Sequence, residues 1–218
     1  MKGMERIVKT ENNNGLRPDI ILASQSARRR AILENLGVDF RVIVSHANED
    51  LDEGTEPGRY VEILSVRKAE AVREELSRLV DIEDPLIIAS DTVVVCDGKI
   101  LGKPADKAEA TAMLRMLSGR KHCVISGIAV IYRGKTVFSH ELTEVEFREV
   151  SDDEIEAYVS TDEPYDKAGG YGIQDKASVF VRGINGDYHN VVGLPVFRLF
   201  RLLSESFGIG YFELTRGK

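Results

Sequence analysis

Apolar residues along the chain follow two alternating periods: short continuous runs, as in buried strands, and stretches recurring every three or four positions, as in amphipathic helices. Asp19-Ile-Ile-Leu-Ala23 predicts a short buried strand, after which Ser26 caps a helix to about Leu36, ahead of Gly37. Residues 40–44 predict a second strand and 45–56 an acidic loop. Pro57 suits the first turn of a long helix running to about Leu79. Two apolar runs, 86–89 and 93–96, predict strand covered on both faces, turning at Asp97-Gly98. Asp106 caps a helix ending near Leu117. Residues 122–132 and 136–148 read as a long hairpin hinged at Arg133-Gly134-Lys135. Ser151 and Glu154 have capping-box spacing for a helix to about Ser160. A strand over 178–184, a turn at Asn185-Gly186 and a helix over 196–207 complete the pattern. Helices alternate with strands and no internal repeat is visible, so one α/β unit is expected over 19–207, with a division into two lobes left open. Residues 1–18 and 208–218 are expected to be a loose extension and tail.

Two segments break this pattern. Asp166-Lys-Ala-Gly-Gly-Tyr-Gly-Ile-Gln174 crowds three glycines, a lysine and an amide into one polar stretch, which reads as a ligand-facing loop. Leu22-Ala-Ser-Gln-Ser-Ala-Arg-Arg-Arg30 runs a strand end into a helix whose first turn holds Arg28, Arg29 and Arg30. Free backbone N–H groups and guanidinium groups there suit a phosphate, whereas arginines at a helix start otherwise oppose the dipole by ~0.3–1 kcal/mol each. A solvated basic helix end is the plainer alternative.

On the long helix, Val61, Leu64, Val72, Leu76 and Leu79 form an apolar stripe with Lys68 in its middle. Lys68 either snorkels to the surface or holds its ammonium in a cleft. Arg67 and Arg73 point elsewhere and are expected to be solvated. Asp91, set between two apolar runs, costs several kcal/mol (order of magnitude) unless a hydrogen bond, a turn or a cation receives it. Glu49 in the acidic loop reads as a surface charge, and Lys103 before Pro104 as an ammonium on a stiff loop. Asp91 and Glu49 together could hold one hard divalent cation through oxygen ligands.

Composition narrows the field. The formal net charge of -7 disfavours a nucleic-acid partner, so any phosphate chemistry uses local positive charge. Two cysteines among 218 residues, Cys96 and Cys123, fit a reducing compartment, with one bridge between them left open. No run reaches the ~20 apolar residues of a membrane span, and the start of the chain lacks a signal-peptide core. A cytoplasmic address is expected. The histidines and cysteines lack zinc-ligand spacing, and no Walker loop or Gly-x-Ser-x-Gly elbow occurs.

Together, and in family order along the chain, the two segments above, Ser90-Asp-Thr-Val-Val94 and Gly186-Asp-Tyr-His-Asn-Val-Val-Gly-Leu-Pro195 resemble the Maf family of nucleoside triphosphate pyrophosphatases. Leu101-Gly-Lys-Pro104 and Leu117-Ser-Gly-Arg-Lys-His122 add to the likeness. The resemblance implies an elongated, curved mixed sheet with flanking helices and a central cleft between two lobes, related in shape to inosine triphosphate pyrophosphatases. It implies hydrolysis of dTTP and UTP to the monophosphate and pyrophosphate, with Asp91 as proton acceptor and Glu49, Lys68 and Lys103 lining the cleft. Arg28, Thr92 and Gln174 match positions that set base preference, and Ser24 and Arg29 join the substrate contacts. A divalent cation, Mg²⁺ or alternatively Mn²⁺, on Asp91 and Glu49 is the implied cofactor. Asp175, where the family often has glycine, bears on substrate range. A homodimer is left open, as is a nucleotide-binding regulator of cell division that does not hydrolyse its ligand.

Overall fold

The computed structural model describes residues 18–52, 54–78 and 84–215. Its centre is a seven-stranded mixed sheet in the order β2-β1-β3-β5-β6-β7, with β4 on the free edge of β3. Strand β1 (Ile20–Leu22) pairs in parallel with β2 (Arg41–Val42) and with β3 (Leu86–Cys96). β3 then pairs antiparallel with β4 (Lys99–Leu101) and β5 (Lys121–Tyr132), and β5 with β6 (Lys135–Phe147). The β5–β6 hairpin forms as expected, but its turn is two residues, Arg133 (φ 48°) and Gly134 (φ 73°), both left-handed, because Lys135 already pairs with Tyr132. The two apolar runs around Asp91 are one continuous strand, buried almost throughout, because β5 supplies backbone partners from Ile87 to Val95.

The helices begin where their caps stand. Ser26 accepts from the Arg29 amide at the start of α1 (Ala27–Asn35), and Glu56 accepts from Gly58 and Arg59 ahead of Pro57 in α2 (Pro57–Leu76). Asp106 caps α3 (Lys107–Leu117), and Ser151 and Glu154 form the predicted capping box of α4 (Asp152–Val159). Leu79, the expected end of the long helix, lies outside the described residues. α1 covers one face of β1 and β3 and α2 the other, so the core divides into apolar clusters on opposite sides of the sheet. A third cluster gathers around α3, α4 and Phe147.

Three local expectations need correction. Residues 176–180 form a 3-10 turn, not strand, because Ala177 and Phe180 are buried three positions apart on one side. β7 (Val181–Asn185) begins only where β6 offers a partner. The Gly186–Pro195 segment holds a short helix, α5 (Tyr188–Val192), capped by Asp187, before α6 (Val196–Phe207). The expected loose tail contains α7 (Tyr211–Leu214): Leu214 is buried, Tyr211 donates its hydroxyl to the Leu36 carbonyl, and Thr215 bridges to Val38. The two cysteines are free. Cys123 pairs with Val95, so it projects from the face opposite Cys96, which excludes the bridge left open by the sequence. Among the described residues no helix is long and apolar enough to cross a membrane.

One close approach sets the height of α2 above the sheet. Gly127 of β5 lies directly opposite Asp91, and a Cβ on it would stand 2.2 Å from the Val61 carbonyl oxygen and 2.7 Å from Ser65 Oγ. Only a bare backbone lets the helix settle there. Gly127→Ala is therefore expected to destabilise the fold by ~1–3 kcal/mol through overpacking, read as a lower denaturant midpoint. A midpoint unchanged from the parent chain would contradict this account of the helix position.

Candidate active site

A cleft of about 620 Å³ opens where the sheet lacks a strand. On one edge β3 pairs with β1 through Ile88, and β4 joins the same edge only from Val94. Residues 89–93 therefore present an open edge just beyond the carboxyl end of a parallel strand, the position at which α/β sheets bind ligands. Because successive side chains point to opposite faces, Asp91 reaches the cleft from the α2 side and Thr92 from the α1 side.

On the α2 side, Lys68 donates its ammonium to Asp91 Oδ1 at 2.5 Å and lies 2.9 Å from Glu49 Oε1. The lysine in the apolar stripe thus faces the cleft and does not snorkel. It supplies the cation that a carboxylate 13% exposed on a central strand requires. Leu64 and Tyr60, one and two turns before Lys68, line the same wall. Burial, then the charges of Asp91 and Glu49, raise the Tyr60 phenol above its ordinary pKa. Sequence reasoning missed Tyr60, although its i, i+8 spacing from Lys68 was the available signal.

On the other side Arg29 is committed to the framework. Its Nε donates to the Gly193 carbonyl at 2.7 Å, Nη1 to Ser24 Oγ at 3.2 Å and Nη2 to Thr92 Oγ1 at 3.1 Å. Burial lowers its pKa against the opposing attraction of Asp91. The Gly193 carbonyl also accepts from Ser90 Oγ at 2.9 Å. Thr92 shares a 2.8 Å hydrogen bond with Ser126, whose hydroxyl donates to the Asn190 carbonyl and whose amide donates to Asn190 Oδ1. Asn190, wholly buried, completes its amide bonding on Val124 and Thr143. The α5 motif therefore serves as the underside of the site, a role that its sequence did not reveal.

The glycine-rich loop forms the far wall. Arg28 Nη1 meets Asp166 Oδ2 at 3.1 Å across the rim, while Lys167 Nζ donates to Asp166 Oδ1 at 2.6 Å and to the Glu163 carbonyl at 2.7 Å. Burial pushes the Asp166 carboxyl up, but Lys167 and Arg28 together outweigh it and leave its pKa lowered. Asp175 lies 3.5 Å from Lys167, so this loop lysine is held among acceptors. Gln174 lines the cleft with its amide unengaged by described residues, and Lys103 lines it with no described carboxylate within 4 Å. Beneath the loop, buried His122 and Tyr171 share a 2.7 Å hydrogen bond.

The nine residues given site roles by the sequence and the resemblance line this one cleft. Arg30 is exposed and stands outside its wall. Among the described residues no group of three or more His, Cys, Asp or Glu side chains could form a metal cage. Of the cleft's carboxylates, Asp91 and Glu49 are gathered on Lys68, while Asp166 is held at the rim by Arg28 and Lys167.

A family model described as Maf-like protein matches residues 19–206. The dTTP/UTP pyrophosphatase of Bacillus anthracis strain CDC 684 is 48% identical over 186 residues, 85% of this chain and 94% of the relative. A protein of the same name from Bacillus cereus strain AH820 shares the same identity over the same extent. The structure of the Staphylococcus aureus Ham1 protein aligns at 18% identity with a TM-score of 0.39, over 59% of this chain and 71% of that one. That likeness is too slight to carry an argument, and the α/β assignment rests on the sheet itself.

His122 gives the site a pH signature in stability. Burial pushes its pKa down to about 4 from the ordinary 6.5. Below pH 6.5 the unfolded chain takes up a proton that the folded chain refuses, so stability falls as pH drops toward 4 and levels off beneath it. The full shift corresponds to about 3 kcal/mol. Denaturant titrations across this range should show a shallower loss for His122→Phe than for the parent chain, and parallel curves would contradict the burial of a neutral imidazole.

Proposed function

The chain belongs to the Maf family, and from that membership we propose that it hydrolyses dTTP and UTP between the α and β phosphates, releasing pyrophosphate and the nucleoside monophosphate. The observation that carries this reading is the convergence of Asp91 and Glu49 on Lys68 inside a cleft whose walls also bear Arg28, Arg29 and Lys103. Nucleotide-pool housekeeping is the corresponding cellular task.

The chemistry follows from the placement of charge. Asp91 accepts the proton of a water attacking the α-phosphorus, and its carboxylate stays compensated by Lys68 throughout. Lys68, Lys103 and Arg28 offset the charge that moves onto the pyrophosphate leaving group. The helix start at Ser24–Ser26 adds neutral donors. Arg29 contributes mainly by holding Ser24 and Thr92, since three of its nitrogens are already engaged.

Two carboxylates suit a cation that arrives with its phosphates and keeps several waters, as Mg²⁺ does, better than one caged by protein alone. Asp91 and Glu49 would hold it, and it would supply charge neutralisation at the phosphate oxygens. Gln174 can donate to O4 and accept from N3–H of uracil or thymine, whereas cytosine presents the reverse pattern.

Asp91→Asn should lower pyrophosphate release from dTTP in the presence of Mg²⁺ by ~10²-fold or more. Near-normal turnover would remove Asp91 from the mechanism. In the same assay CTP should be consumed at least ~10-fold less efficiently than UTP, the order of one or two mispaired hydrogen bonds. Equal rates would dismiss Gln174 as the base reader.

A further inference from the structure

Of the two acids gathered on Lys68, Glu49 is the less protected: its side chain is 61% exposed, against 13% for Asp91. A surface ion pair to Lys68 orders such a group weakly. Residues 43–52 belong to no strand or helix, so neither sheet nor helix bonding fixes Glu49. Arg67 does so, although its place on the helix suggested a solvated side chain. Its Nη1 donates to the Asp50 carbonyl at 2.7 Å and to the Asn48 carbonyl at 3.3 Å, the two residues that flank Glu49. Asn48 Oδ1 accepts from the Asp50 amide at 2.7 Å, closing a side-chain turn with Glu49 at its tip.

Two consecutive cations of α2 therefore grip three consecutive loop residues. Arg67 holds the main chain on either side of Glu49, and Lys68 receives the carboxylate. Arg67 itself is absent from the cleft wall and cannot touch a ligand there. A guanidinium suits this task because one planar nitrogen presents two N–H bonds in fixed directions, whereas an ammonium on a shorter, flexible stem orders less.

We infer that Arg67 is a positioning residue for the proposed reaction, acting only through Glu49 by holding the 48–50 turn against α2. This inference rests on the pyrophosphatase reading for its consequence in rate, but the clamp itself can be tested without turnover.

Full-length parent chain, Arg67→Ala, Arg67→Lys, Glu49→Ala and the Arg67→Ala/Glu49→Ala pair would be assayed for pyrophosphate release from dTTP across a Mg²⁺ titration. Hydrogen–deuterium exchange over residues 45–52 and thermal unfolding would be followed in parallel. Arg67→Ala should lose about tenfold in kcat/KM, the order of one or two lost hydrogen bonds. It should also need correspondingly more Mg²⁺ for half-maximal rate, with Arg67→Lys intermediate and an unchanged thermal midpoint. The double variant should be no worse than Glu49→Ala alone, because both changes remove one group from its place.

Losses that multiply in the double variant, or an Arg67→Ala enzyme with parental kcat/KM and Mg²⁺ dependence, would overturn the inference. Exchange over 45–52 should accelerate in Arg67→Ala, and unchanged exchange would refute the clamp. If the parent chain released no pyrophosphate while exchange still accelerated, the reaction would be wrong and the clamp right.

Discussion

The ion pair between Lys68 and Asp91 is the interaction around which the rest of the cleft is arranged. A carboxylate on an inner strand is tolerable only beside a cation, and the cation must reach it from a helix seated low on the sheet. Gly127, paired with Asp91 across β3 and β5, permits that seating because it offers α2 nothing to strike. Burial of Asp91 and a missing side chain on its neighbour are thus one arrangement. The charge can stand in the sheet because the adjacent strand yields space for the helix that answers it.

The second constraint is the gap in the edge of β3. A sheet with β1 continued past Leu22 would cover residues 89–93, and Asp91 and Thr92 would then serve packing alone. The early stop lets the two faces of one strand contribute to a single cavity. Acidic chemistry comes from the α2 face and the arginine-centred hydrogen-bond framework from the α1 face. Arg29 illustrates the division: lying among ligand-facing groups, it spends most of its donors on Ser24, Thr92 and Gly193.

Much of this was legible in the sequence wherever the information is local. Ser26, Asp106 and the Ser151–Glu154 box mark helix starts because a cap bonds within its own turn. Lys68 was visible as a charge inside an apolar stripe. The convergence of Asp91 with Glu49 was not, since residues 42 apart meet only through the seating of α2. Asn190 was equally silent, being a small polar residue whose bonds run to strands more than 40 positions away. Arg67 misled for the opposite reason: a helical arginine off the apolar stripe is ordinarily solvated, and its carbonyl partners lie on an irregular loop. The strand expected at 178–184 failed in its first half because apolar content there serves a 3-10 turn, a distinction that short runs do not encode.

The Arg28–Asp166 bridge across the rim bears on how a product departs. An unengaged guanidinium would cling to any passing anion, including the monophosphate left after cleavage. Here a carboxylate already occupies one of its nitrogens, so a visitor must share the guanidinium or displace that partner, and the fewer phosphates it carries the worse it competes. As the leaving group diffuses away, Asp166 can reclaim its arginine and help to eject the spent nucleotide. The rim thus offers an arriving anion a cation that is already partly answered, in a pair exposed enough to open and close readily.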